Sequence, residues 1–239
     1  MKPVLVLQHQ SSDGPAFLAT WLRARGVAFE VRNAEAGEAF PESTEAYAAL
    51  ALLGGEMSAN DPLSALRAGE RLILDAMQRS RPVIGHCLGG QLMARALGAR
   101  VVESPAPEIG WLPIDVADSD VARAWFGEAR QHTVFQWHYE AFELPRDAVR
   151  LAGSAACPNQ AFAIGPHLAL QFHVEQDAEK LARWSCDDGA RYRQALGAHA
   201  SVQDGEAMRR HGLAALAAQQ GLADGFYRRW LAASGIDLT

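Results

Sequence analysis

A cysteine lies where an apolar run turns directly into a segment with helical spacing, in the sequence Gly85-His86-Cys87-Leu88-Gly89. Glycines two positions before and two after it let a strand and a helix approach closely around a strained residue. The N–H groups and dipole of a helix N-terminus favour a thiolate there. The backbone N–H of Leu88 points to where the oxyanion of an acyl-transfer reaction would form. The segment therefore predicts a nucleophilic cysteine on a sharp turn.

The other two cysteines lack this setting. Cys157 precedes Pro158 in a loop-like stretch, and Cys186 lies near a predicted helix end. A free cysteine in such a setting is usually a small buried hydrophobe. Three cysteines are also too few, and odd in number, for a disulfide framework.

A cysteine nucleophile requires a base, and the base requires an orienting acid. Among the 8 histidines, His173 is the best candidate because it follows the apolar run Leu168–Phe172. That position corresponds to the carboxyl edge of a parallel sheet, where open α/β folds place their sites. Glu175 is two residues further on, so in an extended chain it projects to the same side as His173. The pair therefore predicts a base with its carboxylate.

Taken together, these motifs resemble the class I glutamine amidotransferases, the group with a Cys-His-Glu triad, and in particular the amidotransferase domain of GMP synthetase. The matches follow the family's order and cover about residues 1–180. Four segments carry the resemblance: Gly85-His86-Cys87-Leu88-Gly89-Gly90-Gln91, Gln171-Phe172-His173-Val174-Glu175, the loop Gly54-Gly55 and, more weakly, Phe135-Gln136-Trp137-His138-Tyr139-Glu140.

The resemblance implies a mechanism. Cys87 attacks the side-chain amide carbon of glutamine, and His173, held by Glu175, passes the thiol proton to the leaving ammonia. Backbone N–H groups of Gly55 and Leu88 stabilise the oxyanion. A γ-glutamyl thioester forms, and water then releases glutamate, while the ammonia goes to an acceptor that the sequence does not identify.

The resemblance also implies a substrate pocket formed by Gln91, His138, Tyr139 and Glu140. Gln91 follows Cys87 by four residues, which places both on one helix face. An equally weighted alternative is that Gln91 bonds the backbone of the elbow. Tyr139 stands where relatives often have glycine, a change expected to reshape the pocket near the amino-acid end of the substrate. His86 precedes the nucleophile directly, so we expect it to point away and to be structural.

The surrounding pattern alternates strands with helices, which is typical of βαβ units. It predicts an α/β fold: a single-domain, open, twisted, mostly parallel sheet flanked by helices, similar to the flavodoxin-like folds of class I glutamine amidotransferases. A strand is expected to start at 100–103. Antiparallel or mixed strands are expected between about 108 and 173, including one at 112–116. The domain is expected to span 1–239, with a motif-bearing core to about 180. A helical C-terminal extension follows at 181–239, with helices at 205–219 and 226–233.

Composition excludes several classes of function. The net charge of −6 argues against a nucleic-acid partner, which would select a basic surface. No apolar run reaches the length of a membrane span, and the N-terminus lacks a signal-peptide cleavage site, so we expect a cytoplasmic protein. No phosphate-binding glycine loop with a lysine is present, and His132 and His138 lack zinc-site spacing, so we expect neither cofactor nor metal.

Three functions stay open at this point. The chain either supplies ammonia to a separate synthetase subunit, or acts alone as a γ-glutamyl hydrolase or peptidase with the same triad. A non-catalytic binding or regulatory module on the same fold is the third; the intact Cys87, His173 and Glu175 argue against it. In each case the partner is a small molecule, glutamine or a γ-glutamyl amide. Trp230-Leu231 near the end leave a homodimer open.

Overall fold

One mixed sheet organises the computed structural model, which describes residues 2–238 apart from the side chain of Leu213. Met1 and Thr239, the ends of the predicted domain, lie outside the described residues. The strands within that part of the chain are β1 (Val4–Gln8), β2 (Phe29–Asn33), β3 (Ala49–Leu52), β4 (Val83–His86), β5 (Val101–Val116), β6 (Gln131–Phe142), β7 (Val149–Gly153), β8 (Ala161–Ile164) and β9 (His167–Leu170).

The strand order is β2-β1-β3-β4-β9-β8-β7-β5-β6. Strands β2, β1, β3, β4 and β9 are parallel, and the rest add antiparallel pairs beyond β9. Strands β1, β3 and β4 are buried along their whole length, because helices cover both faces of a parallel sheet. The predicted open α/β sheet with added antiparallel strands is confirmed.

Helices cover the two faces of this sheet. They are α1 (Ala16–Ala24), α2 (Ser64–Gln78), α3 (Leu88–Ala96), α4 (Asp120–Phe126), α5 (Ala178–Trp184), α6 (Ala190–Ala195) and α7 (Gly205–Ala232). Helices α1, α4 and α7 share one apolar core, which contains Trp21, Phe126 and Trp230. Helices α2 and α3 share the core of the opposite face. The predicted helical C-terminal region is present, and α7 contributes to the main core. The division of the chain near residue 180 stays a prediction.

Two predicted breaks are wrong. The strands expected at 100–103 and 112–116 are parts of the single strand β5, whose pairing with β6 shifts register between Glu103 and Glu108. Two prolines fall in that irregular stretch, where a sheet tolerates a residue that cannot donate a backbone hydrogen bond. The helices expected at 205–219 and 226–233 are one helix, α7, because its packing against the sheet outweighs the low helix propensity of its glycines.

Asp61-Pro62 has the form of an N-cap followed by a first-turn proline, which predicts a helix start there, but α2 begins at Ser64. Asp61 does cap a local structure, but its carboxylate accepts a hydrogen bond from the backbone N–H of Ser58 at 3.1 Å and closes a turn. Helix α4 was missed, although the Ser119 side chain caps it by accepting from Ala122 N–H. No helix within residues 2–238 combines the length and the apolar character needed to cross a bilayer.

The fold brings separate parts of the chain to one edge of the sheet. The carboxyl ends of β1, β3, β4 and β9 meet there, followed by the segments 9–15, 53–58, Cys87 and 171–175. Residues 137–140 of β6 approach from the side, and α5 and α6 lie next to them. This is the edge at which open α/β sheets bind their ligands.

Candidate active site

Cys87 sits at the N-terminus of α3 in a strained backbone conformation, with φ 48° and ψ −107°. A non-glycine residue with positive φ persists only where its surroundings hold it there. Its N–H donates to Leu170 O at 2.9 Å, which ties the turn to β9. A Cβ added to Gly85 would lie 2.5 Å from the backbone of Gly89, and one added to Gly90 would lie 2.5 Å from Leu170 O. The glycines therefore permit the close contacts that form the elbow.

His173 and Glu175 form a buried pair beside Cys87. The Nδ1 of His173 lies 2.7 Å from Glu175 Oε1, and both side chains are almost fully buried. The backbone N–H of His173 donates to Phe135 O at 2.9 Å, and its ring makes an edge contact with Trp184 at 4.7 Å between centroids. These contacts fix the imidazole so that Nε2 remains for chemistry.

The surroundings favour an imidazolium at this position. Burial alone would lower the pKa of His173, but the Glu175 carboxylate and the neighbouring Cys87 side chain outweigh it and raise this pKa to about 10. A histidine that holds its proton next to a sulfur can stabilise a thiolate and later supply the proton to a leaving group.

A buried lysine completes the charge balance. The Nζ of Lys180 lies 3.0 Å from Glu175 Oε1 and also pairs with Asp13, while Gly14 O accepts from it at 3.3 Å. Burial would raise the pKa of Glu175, but Lys180 and His173 hold it well below its usual range. Likewise, burial would lower the pKa of Lys180, yet Asp13 and Glu175 raise it.

The sequence motifs missed Lys180 and Asp13. Lys180 is one of only two lysines in the chain, a weak signal, and Asp13 lies far from it in sequence. Only the tertiary fold brings the β1–α1 loop against α5.

The two residues predicted to donate to an oxyanion belong to segments that approach each other closely. A Cβ added to Gly55 would come within 3.0 Å of the Leu88 side chain, so the loop after β3 approaches the start of α3 closely. Among residues 2–238, neither Gly55 N–H nor Leu88 N–H donates to a protein acceptor. Two unused N–H groups next to a nucleophile are suited to an oxyanion.

The residues predicted to bind substrate make different contacts in the structure. Gln91 donates from Nε2 to Glu140 O at 3.0 Å; it bonds the backbone of β6 rather than that of the elbow. The Glu140 carboxylate accepts from Ser58 Oγ at 2.8 Å. The ring of Tyr139 borders the cavity beneath the Arg191 guanidinium, 3.8 Å from its centroid.

His138 occupies a different environment from its neighbours in β6. It borders the cavity, but its Nε2 lies 3.1 Å from Glu108 Oε2 within the core. Side chains alternate between the two faces of a strand, which turns this imidazole away from the side of Tyr139. A role for His138 in binding stays a prediction.

His86 is structural, as its place before the nucleophile suggested. Its Nδ1 lies 3.2 Å from Leu52 O, and its Nε2 lies 3.4 Å from the Tyr227 hydroxyl of α7. Burial lowers its pKa, which keeps the ring neutral. Helix α7 thus supports the elbow from the opposite face of the sheet.

A cavity of about 670 Å³ opens above Cys87 and His173. Its two halves differ in character. The polar half contains Gln91, Ser58 and Glu140. The aromatic half, formed by β6, α5 and α6, contains Trp137, Tyr139, Trp184 and Tyr192. Pockets of this size bind small organic molecules.

Among the described residues, two buried clusters have ligand atoms that a metal ion could share. In the cluster of Asp13, His173 and Glu175, the ammonium of Lys180 already pairs with both carboxylates.

The other cluster consists of Glu108, His138 and Cys157. Its chemistry does not fit a metal centre. The carboxylate of Glu108 already accepts from Ser154 Oγ at 2.7 Å and Gln160 Nε2 at 2.6 Å. Burial raises the pKa of Cys157 to about 12, so its thiol stays protonated, whereas a metal needs the thiolate. Glu108 and Cys157 are therefore occupied by hydrogen bonds within the core, next to the imidazole of His138.

Comparison with known proteins gives a consistent result. The family described as glutamine amidotransferase class-I matches residues 16–182. The glutamine amidotransferase-like protein YfeJ of Salmonella typhimurium is 34% identical over 180 residues, which cover 72% of this chain and 74% of YfeJ. One subunit of the glutamine-hydrolysing GMP synthase of Thermoplasma acidophilum is 32% identical over 56% of this chain and 66% of that relative. The crystal structure of a glutamine amidotransferase from Methylobacillus flagellatus superposes with a TM-score of 0.92, at 33% identity over 98% of this chain and 95% of that chain.

Proposed function

This chain belongs to the class I glutamine amidotransferases, and we propose that it hydrolyses the side-chain amide of glutamine or of a γ-glutamyl compound through Cys87, His173 and Glu175. The observation that carries the proposal is the strained Cys87 at a helix N-terminus beside a buried His173–Glu175 pair. A nucleophile, a base and an orienting carboxylate in this order are sufficient for acyl transfer.

In the first step, Cys87 Sγ attacks the amide carbon and forms a C–S bond. The oxyanion that develops is stabilised by the N–H groups of Gly55 and Leu88, which have no protein acceptor among residues 2–238. His173 Nε2 carries the proton lost by the thiol and transfers it to the nitrogen of the leaving amine. The C–N bond breaks, and a γ-glutamyl thioester remains on Cys87.

In the second step, water replaces the amine. His173 takes a proton from the water as its oxygen attacks the thioester carbon, and the same N–H groups again stabilise the oxyanion. The C–S bond breaks, glutamate leaves, and Cys87 and His173 return to their starting state. Glu175 holds the imidazole throughout, and Lys180 keeps Glu175 ionised.

The polar half of the cavity is suited to the glutamyl portion of the substrate. Gln91 and Glu140 are joined through a hydrogen bond at 3.0 Å and lie on the same side of Cys87. Glu140 offers a carboxylate to an α-ammonium group, while Tyr139 and His138 border the cavity from opposite faces of β6. Binding by these four residues is the part of the proposal that comes from the family resemblance.

Two uses of this chemistry are proposed. If the substrate is glutamine, the ammonia goes to a separate acceptor protein; a relative that carries the name of a GMP synthase subunit supports this use. If the chain acts alone, it is a γ-glutamyl hydrolase. The size of the cavity favours the second use, because about 670 Å³ is more than glutamine occupies.

The test is glutamate release by the purified chain from L-glutamine and from γ-glutamyl dipeptides. We expect release by the wild type and by the matched control Cys186→Ala, since Cys186 is exposed and does not border the cavity. Cys87→Ala should lower kcat by at least about 10⁴-fold while leaving the unfolding transition nearly unchanged. Activity retained by Cys87→Ala would refute the proposal, and an inactive wild type would leave a binding module as the better account.

A further inference from the structure

We propose that this site cleaves γ-glutamyl dipeptides whose second residue is aromatic. The aromatic ring of that residue packs against Trp184 and Trp137, and the α-carboxylate of the same residue pairs with Arg191. The inference rests on the proposed γ-glutamyl amide hydrolysis and names the leaving group. It is carried by the aromatic half of the cavity, of which Trp184 contacts the triad through His173.

The geometry of His173 gives the direction of the leaving group. Its Nδ1 is engaged by Glu175 at 2.7 Å, so only Nε2 can protonate the departing nitrogen. The same imidazole makes an edge contact with the ring of Trp184 at 4.7 Å. We infer that an amine that receives its proton from His173 leaves into the part of the cavity that Trp184 borders, and that a substituent on that amine contacts this ring.

An aromatic surface continues from that point. The ring of Trp184 lies 5.7 Å from that of Trp137, and Trp137 lies 5.3 Å from Tyr192 of α6. All three border the cavity. Offset or edge-to-face contacts with such rings favour a further aromatic ring over an aliphatic chain of similar size. Ammonia, the leaving group of glutamine, has no atoms that could reach this surface.

A cation borders the same cavity. The Arg191 guanidinium covers the ring of Tyr139 at 3.8 Å and borders the cavity. Among residues 2–238, no carboxylate lies within ion-pair distance of it. Asp187, the nearby acid of the cavity, accepts from Gly189 N–H at 2.6 Å. Arg191 is thus available for the α-carboxylate of an amino-acid leaving group, with which a guanidinium makes bidentate contacts.

Arg193 offers a matched comparison. It belongs to the same helix, is exposed, and lies 3.9 Å from Asp188, but it does not border the cavity. Arg183 does border the cavity, yet its guanidinium donates to Ser12 O at 2.6 Å. The proposed carboxylate contact therefore belongs to Arg191.

The experiment compares kcat/KM for γ-Glu-Phe, γ-Glu-Gly, γ-glutamyl-phenethylamine and L-glutamine. Burial of the phenyl ring should favour γ-Glu-Phe over γ-Glu-Gly by about 10- to 100-fold. The ratio of kcat/KM for γ-Glu-Phe to that for γ-glutamyl-phenethylamine, which lacks the carboxylate, should fall about tenfold in Arg191→Leu. Arg193→Leu should not change that ratio, and Arg191→Lys should retain part of it.

Each outcome decides a separate point. If γ-Glu-Gly or glutamine is cleaved as well as γ-Glu-Phe, the inference is overturned while the proposed function stands. If γ-Glu-Phe is preferred but Arg191→Leu leaves the ratio unchanged, the carboxylate contact is wrong. If none of the four compounds releases glutamate, both the inference and the proposed function fail. Circular dichroism of each variant separates misfolding from a loss of specificity.

Discussion

At the scale of single residues, the proposed site depends on a buried balance of charge. Asp13, Lys180, Glu175 and His173 are all almost fully buried and follow one another through ionic contacts. A buried charge that loses its partner is costly, whereas a pair removed together is tolerated. Measurements of unfolding free energy for single and paired substitutions can therefore test this charge network without an activity assay.

The first prediction concerns Lys180. Lys180→Met leaves Asp13 and Glu175 buried without their shared cation and should lower the free energy of unfolding by about 3–5 kcal/mol. Asp13→Asn combined with Lys180→Met should recover part of that loss, because it removes a carboxylate together with the ammonium. Urea unfolding of the three proteins measures both effects. A Lys180→Met protein as stable as the wild type would show that the lysine does not balance these carboxylates.

The second prediction is the pH dependence of the His173–Glu175 pair. The pKa of His173 is raised to about 10, so its contribution to stability is complete below 6.5 and is lost as pH rises toward 10. The pKa of Glu175 is lowered, so its contribution is complete above 4.5 and is lost as pH falls further. The stability difference between wild type and Glu175→Gln should therefore be largest between about pH 4.5 and 6.5 and should shrink toward pH 10. A difference that grows with pH above 7 would contradict the charge state assigned to His173.

The residues of this site differ in how far sequence reveals them. Cys87, His173 and Glu175 carry local signatures, since a turn between glycines and a His-x-Glu motif after an apolar run are both visible in neighbouring positions. The chain at His173 and Glu175 is a turn after β9, which ends at Leu170, and not the extended strand that the spacing suggested. Lys180, Trp184 and Arg191 carry no local signature. Their place depends on how α5 and α6 dock beside β6, which spacing along the chain does not determine.

At the scale of elements, the turn between β4 and α3 is the part that tolerates least change.

The third prediction compares two glycine substitutions. Gly85→Ala would place a Cβ 2.5 Å from the backbone of Gly89 and should lower the free energy of unfolding. It should also lower the activity of the protein that remains folded, because the backbone shift that relieves this contact displaces Cys87. Gly221→Ala in α7 meets nothing within 4 Å and should stabilise the helix by about 0.5–1 kcal/mol. Thermal unfolding and glutamate release measure both. Equal effects of the two substitutions would contradict the close packing of the elbow.

The helices and strands also show where the sequence pattern predicts element boundaries incorrectly. Buried strands such as β1 and β4 are the easiest elements to predict, because a short continuous apolar run between helices has few alternatives. Strand β5 was divided by its prolines and α7 by its glycines, although tertiary pairing and packing carry both elements through. Local propensity is a weak guide where the rest of the fold already fixes the chain direction.

At the scale of the whole molecule, the C-terminal helix is part of the core that supports the site. Phe226, Tyr227, Trp230 and Leu231 are fully buried, and the Tyr227 hydroxyl lies 3.4 Å from His86 directly before the nucleophile. The motifs, in contrast, end near residue 180. We propose that the motif-bearing part of the chain does not fold without α7.

The fourth prediction tests this dependence. A chain truncated after Asp204 loses these large buried side chains and should lose cooperative unfolding, because each such deletion alone costs about 3–5 kcal/mol. Tyr227→Phe is the milder variant: it keeps the packing and removes only the hydroxyl next to His86. Circular dichroism during thermal unfolding gives the comparison. If the truncated chain unfolds as cooperatively as the full chain, the motif-bearing core folds without α7, and a domain division near residue 180 is supported.

The most direct test of the account is the covalent intermediate itself. The wild type is mixed with a γ-glutamyl dipeptide, quenched in acid within the first turnovers, digested and analysed by mass spectrometry. We expect a γ-glutamyl thioester on Cys87 and none on Cys157 or Cys186. Its occupancy should be higher in Glu175→Gln when hydrolysis of the thioester slows more than its formation. Glutamate release with no adduct on Cys87, or with an adduct on another cysteine, would contradict it.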